Sequence, residues 1–306
     1  MRKFIPKKIS IIIPTLNEEN NIIILINEII SQMEKKDYEI IIVDDGSTDL
    51  TVNNILDKFD KNEKVRLLQR QSDKGLVQSI KFGLQSMTGE YFVVMDGDRQ
   101  HSASEINYLI NELKTNDLAI GVRNLKKLDV ISAKRLLLSK FFNKFLQLIL
   151  STNISDPLTG FFAGKVSLLN KKFFLLANSG FKVLLDLIFS NKEKKIKIIE
   201  KEIKFESRTD GSSKLNSQVA FSFITQILSY MFNGMISSRF IGFIIIGGIG
   251  FIFHFSILFG MYYLAEVSFY ISHLFATLFT ATINFLANNY LNFYDNRANS
   301  LNKLII

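Results

Sequence analysis

Short apolar runs alternate with longer stretches of helical spacing over the first 120 residues. Residues 9–13, 39–43, 65–68, 92–95 and 118–122 are brief, rich in Ile and Val, and mostly closed by Pro, Gly, Asp or Gln, so they read as buried strands. Between them, a helix reaching about residue 35 carries Ile22, Ile23, Leu25, Ile26 and Ile30 on one side, and another runs from about 74 to 86. Asp49 or Thr51 is placed to cap the helix between the second and third strands. Strands alternating with helices predict an α/β fold with a mostly parallel sheet and its loops gathered on one edge.

The last third has a different pattern. No formal charge falls between Lys214 and Arg239, but Ser222, Thr225, Gln226, Ser229 and Asn233 recur every three or four positions. A polar stripe on an otherwise apolar helix predicts an interfacial amphipathic segment over 216–238. Residues 240–264 and 267–294 lack Lys, Arg, Asp and Glu, and each is long enough to cross about 30 Å of hydrocarbon. Only Ala265-Glu266 separates them, so 239–306 reads as a transmembrane hairpin. Arg239 before the pair and Arg297 with Lys303 after it predict that both ends face the cytoplasm of the cell membrane. Gly242, Gly247, Gly248 and Gly250 allow close helix approach, and Asn284, Asn288 and Asn289 are expected to face protein. His254 and His273 are expected to hydrogen-bond between helices.

Composition narrows the chemistry. The 306 residues leave room for one α/β domain and something smaller, and the net charge of +8 fits nucleic acid or an anionic membrane face. The chain has no Cys, which excludes disulfides and thiolate metal sites. The apolar run near the N-terminus stops at Pro14, too soon for a signal peptide. No GxGxxG follows the first strand and no GxxxxGK[ST] occurs, which argues against a nicotinamide domain and a P-loop.

Three polar loops fall at strand ends on the predicted ligand-binding edge: Asn17-Glu18, Asp44-Asp45 and Asp96-Gly97-Asp98. An Asp just past the second strand is placed to accept hydrogen bonds from a base or ribose. Two carboxylates two residues apart suit a hard divalent cation shared with substrate phosphates, with Gln100 and His101 nearby.

Together these residues resemble family 2 glycosyltransferases of the GT-A fold. The motifs are Pro14-Thr15-Leu16-Asn17-Glu18-Glu19-Asn20, Val43-Asp44-Asp45-Gly46-Ser47-Thr48-Asp49 and Met95-Asp96-Gly97-Asp98-Arg99-Gln100-His101. The pattern of polyprenyl-phosphate hexosyltransferases, the dolichol-phosphate mannose synthase type, continues through Gly121-Val122-Arg123, Arg135 with Ser139, Asp156-Pro157-Leu158-Thr159-Gly160-Phe161-Phe162 and Arg208-Thr209-Asp210-Gly211-Ser212-Ser213-Lys214-Leu215. The resemblance implies a Rossmann-like catalytic domain over 1–215. It implies a divalent metal, Mg²⁺ or Mn²⁺, on Asp96, Asp98 and Gln100. The nucleotide would lie on Pro14, Thr15, Asn17, Glu18, Asp45 and Asp96. Arg123, Arg135, Ser139, Arg208 and Lys214 would hold the acceptor phosphate and the diphosphate, and Asp96, Asp98, Arg123 and Arg135 would be catalytic. The implied partners are a nucleotide sugar of the GDP-mannose or UDP-glucose class, a polyprenyl phosphate and the membrane, with no nucleic acid. Ser102 stands where the pattern often has Pro, and Asp186 where Glu is usual. The hairpin resembles the first half of a GtrA-type module, on Asn284-Phe285 and Asn292-Phe293-Tyr294.

The acceptor class also follows from chemistry. A hydroxyl acceptor needs a general base near neutral pH. A phosphate monoester has a second pKa of about 6 and arrives mostly ionised. Its oxygen needs placing, which arginine forks do well. Arg and Lys without an evident paired base therefore favour a phosphate acceptor. Two other readings stay open: a transferase extending a saccharide, and a lipid-sugar translocation or scaffold protein with a silent catalytic domain.

Overall fold

A computed structural model of the chain describes residues 8–72, 74–122, 154–156, 159–176, 183–203 and 217–293, Val219 through its backbone only. The chain divides into two compact units, Met1–Ser212 and Ser213–Ile306.

The first unit is built on β1 (Ile9–Thr15), α1 (Ile22–Met33), β2 (Tyr38–Asp44), α2 (Thr51–Phe59), β3 (Val65–Gln69), α3 (Leu76–Ser86), β4 (Tyr91–Val94), α4 (Ser104–Glu112) and β5 (Leu118–Val122). It continues with β6 (Phe162–Lys165), the short helix α5 (Lys171–Leu175), α6 (Val183–Ser190) and β7 (Ile198–Glu202). Among the described residues these make a seven-stranded sheet in the order β3-β2-β1-β4-β6-β5-β7. Every neighbouring pair is parallel except those of β6, which runs antiparallel to both β4 and β5.

All seven residues of β1 and all seven of β2 are buried. Continuous Ile and Val runs suit strands covered on both faces. On one face the core gathers Ile11, Ile13, Ile40 and Ile42 under Ile22, Leu25, Ile26 and Ile29 of α1. The first strand runs two residues past the predicted 9–13, through Pro14 and Thr15, which pair only with Val43 and Asp44. The β1–β4 ladder ends at Ile12 and Val94, so the missing N–H of Pro14 breaks no rung on that side. Helix α1 stops at Met33, short of the predicted 35, and α3 starts at Leu76 rather than near 74.

At the amino end of the sheet, Ser10 lies beside Glu39. The Glu39 carboxylate accepts from Ser10 Oγ at 2.6 Å, Thr88 N and Thr88 Oγ1 at 2.7 Å, and Arg66 Nη1 at 2.9 Å. Burial alone would raise its pKa, but these donors hold it at about 2. Asp186, on α6, lies in a buried ion pair with Lys81 of α3, Oδ2 to Nζ 3.2 Å, and Lys81 also donates to Leu176 O. Ser102 joins its hydroxyl to that of Ser104 at the start of α4.

The second unit contains α7 (Ser217–Met231), α8 (Ser238–Phe259) and α9 (Phe269–Ala287). Helix α8 continues through a π-helical turn to Leu264 and α9 through another to Asn292, giving 27- and 24-residue helices long and apolar enough to cross a membrane. Their outer surfaces are apolar, with Phe243, Ile252, Phe255, Leu274 and Leu278 exposed. The asparagines turn inward. A Cβ on Gly250 would lie 2.2 Å from Asn284 Oδ1, and Asn292 Nδ2 donates to Arg239 O at 2.8 Å. Asn288 Nδ2 donates to Asn284 O. His254 and His273 meet as an edge-to-face ring pair, centroids 5.3 Å apart.

In helix α7, Thr225, Gln226 and Ser229 of the stripe are buried together with Phe223, Ile227 and Tyr230, while Ile224, Met231 and, just past the helix, Phe232 and Asn233 are exposed. Gln226 Nε2 donates to Tyr230 Oη and Ser229 Oγ to Ile236 O. The pattern is amphipathic as predicted, with its polar side facing protein.

Candidate active site

Strands β1, β2 and β4 are parallel, so their carboxyl ends open on one edge. There the loop after β1 is sewn to the loop after β2. Asn17, at φ +57°, donates its N–H to Ser47 Oγ, and its Oδ1 accepts from Thr48 N at 2.9 Å. Glu18 N donates to Thr51 Oγ1, and its carboxylate accepts from Asn21 Nδ2. Neither residue caps α1, which starts at Ile22. Asp49 Oδ1 accepts from Thr51 N at the start of α2.

The two aspartates after β2 differ in role. Asp44 closes a turn, accepting from Gly46 N and Ser47 N. Asp45 is buried, its Oδ1 2.9 Å from Arg70 Nη1 and its Oδ2 accepting from Gly75 N at 2.6 Å. Arg70 also donates to Ser79 Oγ at 3.1 Å. Sequence reasoning missed Arg70, although it stands one residue past β3, on the same edge. It missed Lys74 too, whose ammonium lies in the space that a side chain at Gly46 would fill.

Thr15 reaches the same edge at the end of β1. Its hydroxyl is buried and has no hydrogen-bond partner among the described residues. Gly97 packs on it: a Cβ there would lie 3.3 Å from Thr15 Cγ2 and 3.4 Å from Pro14 O. The Pro14-Thr15 loop and the Asp96-Gly97-Asp98 loop are thus in contact.

The aspartate loop is shaped from several sides. A Cβ on Gly160 would lie 2.3 Å from Asp96 Oδ2, so the carboxylate rests directly on that glycine. Asp98 Oδ1 accepts from Gln100 N at 3.1 Å. Arg99 takes the left-handed conformation at φ +60° and pairs with Glu28 of α1, Nη2 to Oε1 2.8 Å. His101 is buried and stacks on Phe161, centroids 5.0 Å apart, which makes it a supporting residue. Thr159 donates to Gly121 O and accepts from Phe161 N, tying the following loop to β5.

This donor set fits a hard divalent cation. Asp96 and Asp98 are only half-buried, so both oxygen donors are reachable, with the Gln100 amide beside them. No group of three or more acidic, His or Cys side chains suited to a metal occurs among the described residues. Mg²⁺-type sites of one or two carboxylates are ordinarily completed by phosphate oxygens and water. Arg123, Arg135, Ser139, Arg208 and Lys214, the predicted phosphate-binding residues, lie outside the described residues.

Known proteins share this organisation. Dolichol-phosphate mannosyltransferase of Pyrococcus furiosus is 33% identical over 229 residues, spanning 73% of this chain and 64% of that relative's length. The Saccharomyces cerevisiae enzyme of the same name is 27% identical, over 71% of this chain and 85% of its own. In fold, the chain is similar to glucosyl-3-phosphoglycerate synthase from Mycobacterium tuberculosis, solved with Mn²⁺, UDP-glucose and phosphoglyceric acid. That match has a TM-score of 0.57 at 19% identity and covers 73% of this chain and 79% of that one. A further structure of that synthase, with Mg²⁺ and UDP, matches at a TM-score of 0.54 and 19% identity over 72% and 79% of the two chains. Residues 242–306 match the GtrA/DPMS transmembrane domain, which together with the two apolar helices marks a membrane protein. Residues 10–173, more than half of the chain, match the model of glycosyl transferase family 2, and the protein belongs to that family.

Proposed function

We propose that the protein transfers a hexose, mannose first and glucose next, from a nucleotide diphosphate sugar to a polyprenyl phosphate. The observation that carries this reading is the contact between the Pro14-Thr15 loop and the Asp96–Asp98 loop at Gly97. It sets a nucleotide-type cradle against a pair of carboxylates. The relatives named dolichol-phosphate mannosyltransferase support mannose and a polyprenyl acceptor.

In this reading Asp45 and the unpartnered Thr15 hydroxyl receive the nucleoside, and Asp96 with Asp98 and Gln100 would hold Mg²⁺ or Mn²⁺. Such a cation, when bound, offsets negative charge on the departing diphosphate. Arg123, Arg135, Ser139, Arg208 and Lys214 grip the acceptor phosphate and the diphosphate. The acceptor oxygen, already ionised, bonds to the anomeric carbon from the face opposite the leaving group as the carbon–oxygen bond to the diphosphate breaks. The anomeric centre inverts, and no general base is required.

The catalytic unit is proposed to work at the cytoplasmic face, with 240–264 and 267–294 spanning the membrane as a hairpin. Arg239, Arg297 and Lys303 support that orientation. The interfacial assignment of 216–238 is kept as part of this proposal: α7 has 15 residues, about 22 Å, short of a full span, and its stripe packs against protein while Ile224 and Met231 are left exposed. The test is nucleotide release from GDP-mannose and UDP-glucose, with Mg²⁺ or Mn²⁺, in the presence and absence of a short polyprenyl phosphate. Release from GDP-mannose that depends on the lipid is expected. Lipid-independent release, or release stimulated by a saccharide instead, would overturn the reading.

A further inference from the structure

We propose that Arg99 and Glu28 form a clamp that sets how tightly the Asp96–Asp98 loop holds its divalent cation. The proposal rests on the metal reading above. Arg99 stands between Asp98 and Gln100, inside the donor loop, with its backbone at φ +60°. A non-glycine residue pays to sit there, so something must hold it. Its guanidinium reaches back to α1, where Nη2 lies 2.8 Å from Glu28 Oε1. Helix α1 packs into the core through Ile22, Leu25, Ile26 and Ile29, so Glu28 is carried on a rigid support.

Among the described contacts of the loop, this pair ties it to α1. Gly97 is seated on Thr15 and Pro14, and His101 is stacked on Phe161. Between those two anchors, Asp98 is oriented by the N–H of Gln100, whose direction depends on the Arg99 backbone. Releasing Arg99 frees the loop to leave the left-handed turn, and Asp98 then swings relative to Asp96. Arg99 and Glu28 are therefore positioning residues: they act on the cation through the geometry of Asp98. The pair is partly exposed, 33% and 39% for the two side chains, which limits its worth to about fivefold in a binding constant.

The test measures Mn²⁺ binding by electron paramagnetic resonance on the full-length protein in detergent, with GDP or UDP present, alongside thermal unfolding. Glu28→Gln and Arg99→Gln are each expected to weaken Mn²⁺ binding about fivefold with an unchanged melting temperature. Exchanging the charges in Glu28→Arg/Arg99→Glu is expected to restore most of the affinity. If wild-type protein binds Mn²⁺ and both single variants bind it equally well, the clamp is overturned while the metal reading stands. Failure of the exchanged pair to recover overturns the ion pair as the cause. Absence of Mn²⁺ binding by the wild type removes the metal reading itself, and the clamp with it.

Discussion

Gly160→Ala tests the candidate site with a single methyl group. The new Cβ would lie 2.3 Å from Asp96 Oδ2 and 2.7 Å from both Cγ and Oδ1. Ordinary contact needs roughly 3.5 Å, so the carboxylate must withdraw by about 1 Å. Asp96 is half-buried and turns on two torsions, so it can yield without moving the sheet. Gly160 is not among the positive-φ residues, so alanine meets no backbone penalty. The fold should survive, with a melting temperature within a few degrees of wild type. A displacement of 1 Å at a reacting centre costs on the order of 10²-fold in rate. The assay is steady-state nucleotide release with lipid acceptor, paired with Mn²⁺ binding and a thermal melt. Loss of about 10²-fold in turnover, weaker Mn²⁺ binding and an intact melt are expected together. A variant that melts normally and keeps more than a third of wild-type turnover would refute the assignment of Asp96 to the reacting centre. A collapse of the melt would refute the claim that only the carboxylate gives way.

Two predictions concern stability. Glu39 is held at about 2, below an ordinary value of 4.5, so its contribution is complete above pH 4.5 and is lost as pH falls through 2. That shift corresponds to ~3 kcal/mol, so the melting gap between wild type and Glu39→Gln should be wide at pH 6 and close as pH approaches 2; a gap independent of pH would contradict it. Lys81→Met removes the cation paired with the buried Asp186 carboxylate and should destabilise the protein by about 3–5 kcal/mol, whereas Lys81→Met/Asp186→Leu should recover most of the loss in the same thermal melt. Equal melting temperatures for the single and double variants would show that the uncompensated carboxylate charge is not the cause.

What the sequence disclosed depended on how one-sided each element's surroundings are. Strands β1, β2 and β4 are buried on both faces and announce themselves as Ile, Val and Phe runs, with only Ser10 and Glu39 breaking them before the closing residues. Strands β6 and β7 were not anticipated: β6 is a four-residue stretch containing Gly164, and β7 is a half-exposed edge carrying Glu200, Lys201 and Glu202. Charge on an edge strand guards against pairing with other chains and also erases the hydrophobic signal. The acidic loops were legible because strand ends place them, but Gly160 was quoted only as part of a motif, since its contact with Asp96 joins distant parts of the chain. Arg70 was within reach of the same strand-end argument and was passed over as one basic residue among many.

Helix α7 shows where pattern stops and environment begins. Periodicity identifies two faces on a helix but does not say which meets solvent. In water the apolar face is the one that packs. In lipid the apolar face loses nothing by exposure, and polar groups gain by finding protein partners. Thr225, Gln226 and Ser229 lie inside this unit beside Phe223, Ile227 and Tyr230, while Ile224, Met231, Phe232 and Asn233 lie outside. The buried side of α7 therefore runs across the polar stripe and part of the apolar surface, so periodicity located two faces without locating the boundary between protein and surroundings. Helices α8 and α9, with Phe243, Ile252, Leu274 and Leu278 exposed and Asn284 and Asn292 turned inward, carry the membrane argument without α7, because among the described helices only they combine span length with an apolar outer surface.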